Sequence, residues 1–456
     1  MPDIPRQTAL RSLLELDKGA ARPDSLITRF CAENSLQGRD RAFVAELTYG
    51  VMRHLRALDF ILSLGASKPP ESMDPPVLFI LRMGLYQALA MDRARFAAVN
   101  ESVELAKSQR STLRAAGFVN AALRQTLRRI DKAQMEPAPI WQVVARFQQK
   151  DLPPQRKLGE RYSFPDFMVG RWLKNYGAEL TEKVLLHCQE KSAAYIRSNQ
   201  VAYTPLQVSD MLEQYNIEVE PFEMAEGLWK VVHGQLAPDS PLISQGVVQP
   251  QDGASYLAAS LLAPGAEDTV LDICCGKGIK SGLFGQTARQ VLAFDLNYSL
   301  LKSLQTNMTR QGIGSVTPVV GDMSSPWPVR GSFSHIFIDA PCSGTGLVRR
   351  HPEGKWRKDM QLIEQMSRVQ GRILEQAVEN LEEGGKLVYA ICSVEPEEGR
   401  HNVNGLLGAH KNLTRIPVSA INPRLRDLKT EEGDMLILPG LHGIDGFFAS
   451  VLHKQG

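Results

Sequence analysis

The stretch "FIDAPCSGTG", Phe337 to Gly346, puts an acid, a proline and a cysteine after an apolar run and before a Ser/Gly loop. Fifty residues beyond Cys342, "AICSVEPEE" puts a second Cys-Ser pair, Cys392-Ser393, after another apolar run. A cysteine at a strand end can be a nucleophile, a helper to another reacting group, or a small packed residue. Two such pairs, each within an extended motif, favour reactive thiols over packing. Cys31 and Cys188 have no such setting and read as structural. The six cysteines form no C-x-x-C pair and no zinc-ligand spacing, so no metal site is expected.

A second group of residues points to a cofactor. In "VLDICCGKGIKS", Gly276 and Gly278 follow a strand-like run and open a helix. Glycines there let the backbone approach a ligand closely. A dinucleotide fingerprint wants a third glycine where Ser281 stands, so pyrophosphate binding is disfavoured. Asp295 ends the next strand about 20 residues on, where an acid can hold ribose hydroxyls. Asp322 follows the third strand and could contact an adenine edge. Strand-end acids in these places resemble the class I methyltransferases that use S-adenosyl-L-methionine, whose hydroxyls, amines and sulfonium charge suit carboxylates.

"IDAPCSGTGLVRRHPEGKW" and "LVYAICSVEPEEGRHNV" are more specific. Together they resemble the RNA cytosine-5 methyltransferases of the RsmB/NOP family, which carry Asp-Ala-Pro-Cys-Ser on the fourth strand and Thr-Cys-Ser on the fifth. "VVQPQDGASYLAA", "PDFMVGRWLKNYG", "YIRSN" and "DGFFAS" are further landmarks. "LTYGVMRHLRALDFIL", "LRMGLYQALAM" and "GFVNAALRQ" are similar to the NusB-like RNA-binding domain of the bacterial RsmB branch. The resemblance implies a thiolate adding to carbon 6 of cytosine, which makes carbon 5 nucleophilic enough to accept a methyl group. It assigns the attack to Cys392 and product release to Cys342. Asp339 would hold protonated ring nitrogen 3. Lys280 would lie near the base and lower a thiol pKa. The implied cofactor site comprises Cys274, Cys275, Gly276, Lys277, Gly278, Ile279 and Lys280 with Asp295, Asp322 and Asp339.

The chain also departs from the pattern. The usual first motif reads Cys-Ala-Ala-Pro-Gly-Gly-Lys-Thr; here Cys274 to Ser281 lack its proline and one glycine. Glu353 stands where Asp is common, and Ile391 replaces the usual Thr. The expected substrate is 16S small-subunit rRNA, on the strength of the NusB-like resemblance. The alternatives are tRNA and a non-catalytic RNA-binding assembly or antitermination factor. The target base must be unpaired or flipped out of its stack.

The elements that must carry these residues follow from periodicity. The 456 residues are too many for one core. With 43% hydrophobic and 22% charged residues, the composition is that of a folded soluble protein. No apolar run reaches the roughly 18 residues of a spanning helix. "MPDIPRQTALRS" shows no signal pattern, so a cytoplasmic protein with no membrane contact is expected. No obligate protein partner is evident. Residues 1–135 read as an all-helical bundle, with "PPVLFILRMGLYQALAM" as its buried helix. Residues 136–164, proline-rich and charged, read as a linker. Residues 165–250 read as a small α+β RNA-recognition subdomain. From residue 251 to 456, strands and helices alternate, which implies a Rossmann-like α/β domain with a doubly wound parallel sheet.

Net charge is +2 and uninformative, but residues 1–150 carry 22 Lys/Arg against 15 Asp/Glu. Arg124, Arg128, Arg129 and Lys132 form one basic group, and Arg53, His54 and Arg56 another. Either could be a nucleic-acid footprint or a solvated helix face. Arg349, Arg350, Lys355 and Trp356, beside the first Cys-Ser pair, suit phosphate and base contacts and are expected to touch RNA.

Overall fold

The computed structural model describes residues 3–19, 22–91, 94–133, 138–234, 236–237, 240–327 and 333–456. Two compact units emerge, Met1–Gln189 with His351–Arg357, and Glu190–Arg350 with Lys358–Gly456. The first is helical. Its helices are α1 (Ile4–Asp17), α2 (Pro23–Glu33), α3 (Gly38–Ser63), α4 (Pro75–Ala90), α5 (Arg95–Lys107), α6 (Ala116–Lys132), α7 (Ile140–Phe147), α8 (Pro154–Tyr162), α9 (Asp166–Tyr176) and α10 (Ala178–His187). The unbroken apolar run of α4 becomes a central helix, with Val77 to Ala88 buried throughout.

The linker expected at 136–164 is not one. Its described residues include α7 and α8, and Ile140, Val143 and Val144 join the core of the bundle. The prolines that suggested a linker instead start helices. Pro139 and Pro153 precede α7 and α8, and Pro154 opens α8. A helix's first residues have no intrahelical partner for their N–H, so proline there loses nothing. Helices α9 and α10 likewise belong to this unit and not to the α+β region expected from residue 165.

The second unit begins with β1 (Tyr195–Ser198), α11 (Pro205–Gln214), β2 (Glu218–Pro221), β3 (Leu228–His233), α12 (Pro241–Ser244) and β4 (Val248–Pro250). The strands form an antiparallel sheet in the order β2-β3-β1-β4. The main sheet follows, built from α13 (Gly253–Ser260), β5 (Thr269–Ile273), α14 (Ile279–Phe284), β6 (Gln290–Asp295), α15 (Tyr298–Gln311), β7 (Val316–Val320), β8 (Phe333–Asp339), α16 (Met360–Glu379), β9 (Leu381–Ile391), α17 (Arg400–Ala409), β10 (Leu413–Ile416), α18 (Val418–Ile421), β11 (Met435–Ile437) and β12 (Phe447–Lys454). Its order is β10-β12-β9-β8-β5-β6-β7, with β11 paired to β12.

The five strands β9, β8, β5, β6 and β7 run parallel, and β12 enters antiparallel beside β9. Strands buried on both faces read as continuous apolar runs, and the residues alternate between two cores. Val270, Phe337 and Val388 pack with α13 residues on one face; Leu271, Ile336 and Leu387 pack with α16 residues on the other. The chain goes outward from β5 to β7 and then returns to β8, so the order reverses between β5 and β8. Ligands of such sheets bind beyond the strand ends at that reversal. No helix among the described residues is long and apolar enough to cross a membrane.

Candidate active site

The residues with chemistry converge at the reversal point. Asp339 ends β8 and Cys342 follows it; Cys392 follows β9. Because β8 and β9 are parallel neighbours with Asp339 opposite Ala390, both cysteine loops leave the same edge side by side. Cys342 Sγ lies 3.1 Å from Cys392 Sγ. Lys280, in the first turn of α14, pairs with Asp339. Burial works against the Lys280 charge, but Asp339, then Asp272 and Cys392, outweigh it and raise its pKa. Arg197 of β1, fully buried, donates to Gln251 Oε1 (2.9 Å) and to the Ile279 carbonyl (3.1 Å), which anchors the start of α14.

The bond to Cys392, and then burial, hold the Cys342 pKa well above the ordinary thiol value. Cys342 therefore keeps its proton at neutral pH.

The loops around the sulfurs are tightly tied. Gly346 N donates to the Cys392 carbonyl (3.0 Å), and Gly446 N donates to the Gly346 carbonyl (2.8 Å). A Cβ on Gly346 would lie 2.0 Å from the Gly446 carbonyl oxygen, so only glycine fits.

Beyond β5, the turn after Ile273 is left-handed at Cys274 (φ 61°), Gly276 (φ 59°) and Gly278 (φ 74°). The conformation suits the two glycines and costs Cys274 about 1 kcal/mol or more. Gly276 N donates to Asp295 Oδ2 (2.9 Å), and Asn297 N donates to Asp295 Oδ1 (2.7 Å). Asp322 accepts from Ser324 N and Oγ, which lowers its pKa. Asp272 is wholly buried; Ser281 donates to its Oδ2, while Oδ1 has no partner among the described residues. The apolar Leu296 and Val320, next to β6 and at the end of β7, are exposed. A cradle with open space at Gly276, a lone buried carboxylate oxygen, two partly free strand-end acids and exposed apolar flanks fits a nucleoside bearing a charged amino-acid tail.

Comparison with known proteins agrees with this geometry. The profile described as 16S rRNA methyltransferase RsmB/F matches residues 259–453, and that of the NusB family matches residues 3–128. The ribosomal RNA small subunit methyltransferase B of Vibrio cholerae serotype O1 is 31% identical over 93% of this chain and 92% of its own. The chain belongs to the RsmB/F family. The probable ribosomal RNA small subunit methyltransferase B of Bacillus subtilis (strain 168) is 29% identical, covering 99% of both chains. The crystal structure of PH0851 shares the fold, with a TM-score of 0.78 at 21% identity over 100% of this chain and 99% of that one.

Within this RsmB/F-type site, several sequence expectations require correction. Arg349 is buried; it donates to the carbonyls of Gly443 (2.9 Å) and Lys191 (2.7 Å). Arg350 is held by Asp445 (2.7 Å) and Asp252 (2.9 Å). Lys355 is 1% exposed and donates to the Arg53 carbonyl (2.7 Å), and Trp356 Nε1 donates to that of Met52 (3.3 Å). These residues do structural work in their own units, so the expected RNA contacts of Arg349 and Lys355 are not available. Arg53 and His54 are buried too, and Arg56 bonds Asp166 and the Phe164 carbonyl. The basic face of α6 remains: Arg124, Arg128, Arg129 and Lys132 are all exposed.

Sequence reasoning missed Glu398. It is fully buried and bonded to the serines that follow both cysteines. The signal was present in "CSVEPEE", an acid shortly after a Cys-Ser pair. It also missed Asp445 and Asp252 as the clamp on Arg350.

Proposed function

We propose that this chain transfers the methyl group of S-adenosylmethionine to carbon 5 of a cytosine in 16S small-subunit rRNA. The observation that carries the reading is the pair of thiols 3.1 Å apart, beside the Lys280–Asp339 ion pair at the sheet's reversal point. The homologues named for small-subunit rRNA methylation and the NusB-family match support the RNA substrate.

Asp272, Asp295, Asp322 and the backbone from Cys274 to Lys280 would hold the cofactor, which supplies an electrophilic methyl group when bound. In this reading the Cys392 sulfur attacks carbon 6, the covalent step that splits one difficult reaction into two easier ones. The thiol proton ends on ring nitrogen 3, where the Asp339 carboxylate accepts the N–H bond and offsets the charge. Carbon 5 then carries enough electron density to take the methyl group. In the release step Cys342 accepts the carbon-5 proton while handing its own to the departing Cys392 sulfur. The Cys392–carbon bond breaks, both thiols are restored, and nitrogen 3 gives up the remaining proton. A Cys342 that keeps its proton suits this relay and does not compete for carbon 6.

Sequencing of bisulfite-treated 16S rRNA from cells with and without the gene tests the reading. One protected cytosine should lose its protection on deletion and regain it on complementation. An unchanged pattern would sink the assignment.

A further inference from the structure

Cys342 and Cys392 lie on loops from different strands, so something must keep the sulfurs at one separation. The residue that follows each cysteine is held by the same buried carboxylate. Glu398 Oε1 accepts from Ser343 N (2.7 Å) and from Gln370 Nε2 (3.1 Å). Glu398 Oε2 accepts from the hydroxyls of both Ser343 and Ser393, which lie 3.2 Å from each other. Gln370 also donates to the Pro341 carbonyl (2.8 Å), the residue before Cys342. The Glu398 carbonyl accepts from Tyr389 OH (2.6 Å) near the end of β9. Glu398 forms no ion pair among the described residues, and its two oxygens meet four donors.

We infer that Glu398 is the positioning residue that sets the working distance between the two sulfurs, an inference that rests on the methyltransferase reading for its catalytic consequence. A carboxylate is acceptor-only, with about four lone-pair sites, so it can take all four donors at once. Bonds to a charged acceptor are roughly twice as strong as neutral ones, which makes the clamp stiff. Glutamine has the same shape but only one acceptor oxygen. Its NH2 would face either Ser343 N and Gln370 Nε2, which would lose their acceptor, or the two serine hydroxyls, which would have to turn and accept weaker neutral bonds. The loops would then drift relative to each other. A proton relay between the sulfurs depends steeply on their contact, whereas cofactor binding at the β5–β6 turn does not.

The test pairs two readouts on Glu398→Gln. Phenylarsine oxide captures two thiols that are close together, forming two arsenic–sulfur bonds and releasing water. The wild-type chain should take up one arsenic across Cys342 and Cys392, and Cys342→Ala should abolish that uptake. In Glu398→Gln, arsenic capture and single-turnover methylation of 16S rRNA should each fall by about tenfold or more, with KM for RNA and the Kd for S-adenosylmethionine within about twofold. A folded Glu398→Gln variant that captures arsenic and methylates at wild-type rates overturns the inference. If that variant fails to fold by circular dichroism, Ser393→Ala, which removes one donor from Oε2, is read instead. It should show a smaller loss of both readouts, and wild-type behaviour again overturns the inference. A wild-type chain that bridges arsenic, loses the bridge in Glu398→Gln, and methylates no cytosine supports the clamp and defeats the functional reading alone.

Discussion

Asp272 is buried at the end of β5, with one oxygen unpartnered among the described residues. Burial pushes its carboxyl up to about 7, although Ser281 and Lys280 pull the other way. Its folded pKa thus lies above the ordinary 3.8. The stability it contributes is fully present below that ordinary value and is lost as pH rises through about 7. Without cofactor, Asp272→Asn should therefore gain on wild type between pH 5 and pH 8, by about 2 °C or more in melting temperature. A difference between the two melting curves that is flat with pH would contradict this. The thiols make a second prediction at the same scale. Cys392→Ala should abolish turnover and form no covalent RNA adduct on denaturing gels. Cys342→Ala should accumulate that adduct, because carbon 5 keeps its proton and the carbon–sulfur bond cannot break. A swapped pattern would reverse the two roles.

Among elements, the site depends on how closely the strand-end loops approach. The loops after β8 and β9, and the turn before β12, meet at Gly346 and Gly446. An alanine at Gly346 would drive its Cβ into backbone, which has no side-chain rotamer to yield. Gly346→Ala should cost about 1–3 kcal/mol of stability and separate the Cys392 loop from the Cys342 loop. Denaturant unfolding should show the loss, and kcat should fall further than the melting temperature alone predicts. A variant of wild-type stability and kcat would mean the loops have more room than this. The elements themselves were largely legible. The apolar run of α4, the strands β5, β6 and β8, and the long helix α16 follow from hydrophobic periodicity, which is local. The region of α7 and α8 was not legible, because proline signals both a linker and a helix start. Only the burial of Ile140, Val143 and Val144 separates the two.

For the whole molecule, charge in the sequence did not equate with charge at the surface. Lys355 lies in the core of the helical unit, where burial, with Arg53 nearby, depresses its pKa well below the usual lysine value. The exposed arginines of α6 face solvent in the same unit. In salt titrations of rRNA binding, the double variant Arg124→Glu, Arg128→Glu should reduce the slope of log K against log salt by about 2, since each phosphate contact adds about one. Lys355→Met should leave that slope unchanged. Equal effects from both variants would mean that the exposed basic face of α6 makes no phosphate contacts of its own. The sequence by itself determined the alternation that builds the main sheet, the family motifs, both Cys-Ser pairs and the strand-end acids, because each is a matter of residue type and short spacing. Only the tertiary structure decided that Cys342 and Cys392 meet at 3.1 Å, that Glu398 holds the loops of both, and that Arg349 and Lys355 turn inward. The physical reason is that a side chain's partner and its exposure depend on which strands lie next to each other. Here β8 and β9, 50 residues apart at their cysteines, are neighbours in one sheet.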